Sequence, residues 1–111
     1  MNPMTETAAL ACVPDAIPAA ERDAHVRLAR RLFEQRTSLR PIEDRGYRAT
    51  FAASAFDEVA RWITHERLCC PFLRFEVAVW PARGPIALTM TGPAGTRELL
   101  DAELGLMEVA R

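Results

Sequence analysis

The sequence predicts an α+β fold: a two-layer sandwich in which an antiparallel sheet of about four strands, arranged as two hairpins, packs against three helices in the order α-ββ-α-ββ-α. Three observations predict it. Apolar residues recur at helical spacing in three separate stretches. Between them lie two stretches whose apolar residues alternate or run together over strand length. A turn-forming cluster divides each of those stretches in two.

The chain has 111 residues, enough for one core and not two. Residues 1–17 carry Pro3 and Pro14 among small and polar residues and are expected to form an irregular arm, with a single domain over 18–111. Cys12 follows Ala8-Ala9-Leu10-Ala11, so this part of the arm is expected to pack onto the domain. Pro18 suits the first turn of a helix, and helix formers continue to about Arg36. Val26, Ala29, Leu32 and Phe33 form its apolar stripe, flanked by His25 and Leu28. Arg22, Asp23, Arg27, Arg30, Arg31 and Glu34 make the solvated face.

Arg40-Pro41-Ile42 reads as a short edge strand, because proline cannot donate to a ladder. Glu43-Asp44-Arg45-Gly46 is the turn, and the strand that follows puts Tyr47, Ala49 and Phe51 on one face. Ser54 is an N-cap candidate with Asp57 three residues on. In the second helix Phe56, Val59, Ala60 and Ile63 form the expected buried stripe, with Trp62, Glu66 and Cys69 along its edge and Cys70 inward. Pro71 ends this helix by excluding helical geometry at Cys70. Phe72 to Trp80 is the clearest strand, with Leu73, Phe75, Val77 and Val79 on one side. Pro81-Ala82-Arg83-Gly84-Pro85 turns it into Ile86–Thr91. Thr96 is expected to cap a last helix whose apolar side carries Leu99, Leu100, Glu103, Leu104 and Met107.

Half the residues are hydrophobic and 26% are charged, a soluble globular profile. The net charge of −1 gives no bulk attraction to nucleic acid or an anionic membrane surface. All 14 basic residues are arginine, which codon bias explains. No basic region followed by an apolar run opens the chain, and no stretch has the length of a membrane span, so a cytoplasmic location is expected. Thiols stay reduced there, and three cysteines cannot all pair internally.

Thr64-His65-Glu66-Arg67-Leu68-Cys69-Cys70-Pro71-Phe72 concentrates the chemistry. On a helix His65 and Cys69 are neighbours at i and i+4, as are Glu66 and Cys70. Thiolates and imidazoles bind zinc, and thiolate-rich sites select soft ions. Unwinding at Pro71 would let both sulfurs turn to one site, with Cys12 as a third ligand for mercury(II), trivalent arsenic, copper(I) or zinc. Glu66, His25 and His65 are candidates to complete or tune it, His65 the weakest because it lies outside the buried stripe. No organic cofactor is implied. The helix end disfavours an anion, which argues against a thioredoxin-like thiol, and a Cys-His nucleophile lacks an oriented base.

Glu66-Arg67-Leu68-Cys69-Cys70-Pro71-Phe72, the aromatic strand behind it, and Gly84 to Pro93 resemble a group of small bacterial proteins sharing a Glu-Arg-x-Cys-Cys-Pro-Phe motif. Cys12 and Glu21-Arg22-Asp23-Ala24-His25 extend the resemblance. It implies an association with heavy-metal resistance and no defined activity. The expected function is thus thiol-based binding of a soft metal or metalloid ion. Two alternatives stand beside it: an interaction or regulatory module with structural cysteines, and a cysteine-dependent detoxifying or redox enzyme. The partner expected is the ion; a homodimer stays open.

Overall fold

The computed structural model describes residues 10–105. The element order is α1 (Ala19–Glu34), β1 (Ser38–Ile42), β2 (Gly46–Phe51), α2 (Phe56–Cys69), β3 (Arg74–Val79), β4 (Ile86–Thr91) and α3 (Thr96–Leu104), with short 3-10 turns at Pro14–Ala16 and Ala53–Ala55. This is the expected α-ββ-α-ββ-α order. Residues 1–9 of the expected arm, and Met107 in the expected last helix, lie outside the described residues.

The four strands are ordered β1-β2-β4-β3, and every neighbouring pair is antiparallel. The two hairpins therefore meet through β2 and β4. Register puts Tyr47, Met90 and Phe75 in one row across the sheet, Ala49, Leu88 and Val77 in the next, and Phe51, Ile86 and Val79 in the third. Helices cover this face. The opposite face carries Arg48, Thr89 and Glu76, then Thr50, Ala87 and Ala78, the alternation expected of a sheet with one wet side. Gly46 begins β2 because a β-carbon there would collide with the Met90 carbonyl.

Trp62 anchors the core. Its ring meets Phe33 of α1 at 5.0 Å and Phe75 of β3 at 5.7 Å, both edge to face, and Phe33 meets Phe51 at 5.8 Å. Such aromatic pairs add about 0.5–1.5 kcal/mol each beyond their buried area. One aromatic set thus ties two helices to two strands.

The helix stripes differ in phase from the expectation. In α1 the buried residues are His25, Leu28, Leu32 and Phe33, while Val26 is 57% exposed. In α2 they are Val59, Trp62, Glu66 and Cys69; Phe56 and Ala60 are exposed and Ile63 is half-buried. Each helix is rotated toward its own polar residue, His25 in one and Glu66 in the other. The two expected caps also fall elsewhere. Ser54 lies inside the 3-10 turn and Ala55 takes the cap position of α2. Gly95, at φ 96°, caps α3, and the Thr96 hydroxyl donates back to the Pro93 carbonyl at 2.6 Å. That left-handed φ is one glycine adopts without strain.

β3 starts at Arg74, later than expected. Phe72 and Leu73 are buried in a turn fixed by Leu73 N–H donating to the Cys70 carbonyl at 3.0 Å. The strand is an edge, and its apolar side is covered only in part: Phe75 is half-buried, whereas Val77 and Val79 are 40% and 58% exposed. Among the described residues, no helix is long and apolar enough to cross a membrane.

Candidate metal centre

The last turn of α2 places Glu66, Cys69 and Cys70 at the inner corner of the helical layer. Pro71 forces Cys70 out of helical geometry, to φ −120° and ψ 77°, while its N–H still closes the helix on the Glu66 carbonyl at 2.7 Å. That half-unwound residue lets the Cys70 sulfur turn toward the sulfur of Cys69. The segment carrying Cys12 docks on the same helix end, where Val13 N–H donates to the Cys69 carbonyl at 2.6 Å. This bond satisfies one of the carbonyls a helix C-terminus leaves open.

The three sulfurs of Cys12, Cys69 and Cys70 all lie within 4.8 Å of one another, and none is in a disulfide. The sulfurs of Cys12 and Cys70 are in contact at 3.0 Å. An ion bound to three sulfurs at about 2.3 Å each separates them by about 4 Å. The cluster is therefore close enough to hold one metal ion, with Cys12 and Cys70 spreading by about 1 Å.

Two carboxylates adjoin the sulfurs. The Cys70 thiol donates to Glu66 Oε2 at 3.2 Å, and that of Cys12 to Glu103 Oε2 at 2.8 Å. Glu103 is an exposed residue of α3 whose carboxylate turns in, 3.6 Å from the Cys70 sulfur. Glu66, Cys70 and Glu103 form a second cluster with ligand atoms within 4.8 Å of one another. Glu66 itself is 2% exposed, and its Oε1 receives a 2.8 Å bond from His25 Nε2. No partner meets His25 Nδ1 among the described residues.

These neighbours set the protonation states. Burial raises the Cys12 thiol to about 12, helped by Glu103 and opposed by the Cys70 bond. Burial, with the Cys12 bond and the charge of Glu66, pushes the Cys70 thiol up further, and burial with Glu66 raises Cys69. Burial alone would raise Glu66 too, but bonds from His25, Glu103 and Cys70 outweigh it and hold that carboxyl below its ordinary range. Glu103 is pushed up to about 7 by burial and by its bond to the charged Glu66. Near neutral pH the cluster is thus three thiols beside an ionised Glu66 and a Glu103 carboxyl close to its titration midpoint.

Of the six candidates from the sequence, five converge here: Cys12, Cys69 and Cys70 as sulfurs, Glu66 against Cys70, and His25 behind Glu66. His65 does not. Its Nε2 bonds Glu21 Oε1 at 2.9 Å, and its ring stands edge-on to His25 at 5.7 Å. Glu103 was not among the candidates. Its one signal was a carboxylate at an apolar position of the last helix.

Compared with protein-family models, curated proteins and solved structures, the chain matches none.

Proposed function

We propose that this protein binds a soft metal or metalloid ion through Cys12, Cys69 and Cys70, as a cytoplasmic component of heavy-metal resistance. The observation that carries the reading is the meeting of three sulfurs, from segments 57 residues apart in sequence, within 4.8 Å of one another. A shared packing need does not require three thiols at one point, whereas a three-coordinate sulfur site does. Mercury(II) and trivalent arsenic suit such a site, as does copper(I); zinc would draw on Glu103 or Glu66 for a fourth ligand.

The electrostatics support an ion and not a nucleophile. Thiols raised this far, beside Glu66, are poor attacking groups at neutral pH. A bound cation reverses that, since a coordinated thiol loses its proton outright. The same carboxylates oppose oxyanions such as arsenate. The resemblance carried by Glu66-Arg67-Leu68-Cys69-Cys70-Pro71-Phe72 to proteins associated with heavy-metal resistance points the same way.

Native mass spectrometry with mercury(II), arsenite, copper(I) and zinc(II) tests the reading. One ion per chain in the wild type, lost in Cys69→Ser/Cys70→Ser, is the expected result; equal uptake by both proteins would refute it. The complete burial of Cys70 favours a second reading, an interaction module with structural cysteines. That reading predicts no ion uptake and thiols that stay unlabelled until the protein unfolds.

A further inference from the structure

The two edges of the sheet are built differently. In β1 the ladder alternation turns Leu39 and Pro41 outward, so the missing N–H of proline removes a donor from that edge, and Arg40 stands beside it. Proline and charge are common ways of blocking an edge against further strands. β3 has no such block. Trp80 N–H donates to the Pro85 carbonyl, so the even-numbered residues face β4 and Phe75, Val77 and Val79 turn their N–H and C=O groups outward. Among the described residues no strand pairs with them. The side chains of Val77 and Val79 are exposed as well, and Trp80 at the strand's end is 43% exposed.

We propose that β3 is the interface of a homodimer, in which it pairs antiparallel with β3 of a second copy about a two-fold axis at Val77. The strand is complementary to itself in this register. Val77 faces Val77 of the second copy, and Phe75 faces Val79, so the three apolar residues of the helix side meet only apolar residues. On the other side Glu76 faces Ala78, and Arg74 faces Trp80, a cation–aromatic pairing. No like charges oppose one another. Moving the axis to Glu76 would set two glutamates directly opposite, which is destabilising. In the Val77 register all outward-facing residues of the strand are used, giving about six backbone hydrogen bonds. The sheet then continues across the axis, and the blocked β1 edges end it, so association stops at two. Nothing in this interface touches the cysteines, and it stands whether or not they bind an ion.

Sedimentation velocity over a concentration series tests the proposal, with circular dichroism to confirm the fold of each variant. The wild type is expected to move from monomer to dimer as concentration rises. Val77→Lys brings two charges together on the axis and is expected to weaken association at least tenfold. Val26→Lys, at a still more exposed valine of α1, is expected to leave it unchanged. Should Val77→Lys fail to fold, Val79→Glu serves in its place. A monomeric wild type at all concentrations, a higher oligomer, a dimer unaffected by the β3 variant, or one broken by Val26→Lys would each overturn the proposal.

Discussion

Trp62 and Glu66 lie one turn apart on the same face of α2, both buried, yet they enter opposite surroundings. Trp62 meets aromatic rings from α1 and β3, and among the described residues its indole N–H finds no partner. Glu66 has partners on both carboxylate oxygens, His25 on one and Cys70 on the other. The first environment tolerates an unmet polar atom in exchange for packing. The second meets the Glu66 carboxylate at both oxygens, though it too leaves one buried nitrogen, His25 Nδ1, without a partner among the described residues. The first region joins helices to sheet and the second adjoins the cysteine cluster, and one helix keeps them in register.

Substitutions should separate the two. Trp62→Ala removes the ring that joins helices to sheet and should cost about 3–5 kcal/mol in urea denaturation. A loss below about 1 kcal/mol would mean the aromatic set does not hold the layers together. Glu66→Ala leaves the His25 and Cys70 donors without their acceptor and should cost about 1–3 kcal/mol. Glu66→Gln, which keeps an acceptor oxygen, should recover part of that; equal losses would show that charge, not hydrogen bonding, matters here.

Cys12→Ser should touch the site alone, because the segment carrying Cys12 lies outside the aromatic set. Its denaturation midpoint should scarcely move, while ion affinity falls more than about tenfold, or about 1.4 kcal/mol, in competition titrations. Affinity should also rise with pH, since the raised thiols must release protons to bind.

The Tyr47 hydroxyl, which donates to Asp101, gives the aromatic region its own pH dependence. Burial and that bond raise it from about 10 to about 12. A group raised on folding contributes fully below its unfolded value, so stability should decline as pH rises from about 10 to about 12. Tyr47→Phe should flatten that decline in thermal melts. The smallest effect belongs to the exposed Arg31–Glu58 pair, where Arg31→Ala should cost about 0.2–1 kcal/mol.

Element order, turns and the blocked β1 edge were legible in the sequence because proline, glycine and strict alternation act locally. The phases of α1 and α2 were not. A stripe is recognised by apolar residues, and in each helix the site had replaced one of them with a buried polar group. With His25 placed beside the stripe of α1 and Glu66 at the edge of that of α2, Val26, Phe56 and Ala60 take the central positions in the expectation. Those errors fall at the candidate site, where local rules are most often broken. Glu103 was hidden by the same effect, at a position read as apolar packing. The convergence of Cys12 on Cys69 and Cys70 depended on where the arm docks, a backbone bond from Val13 to Cys69 that no residue pattern announces. The fate of β3 was also tertiary: an apolar strand looks central until the strand order makes it an edge.

If Cys12, Cys69 and Cys70 act as one site, all three sulfurs bind the same ion. X-ray absorption spectroscopy of the mercury(II)-loaded protein counts them directly. Three sulfur neighbours are expected in the wild type and two in Cys12→Ser. Two sulfurs in both proteins would contradict this, leaving Cys12 a bystander and the adjacent pair the whole of the site.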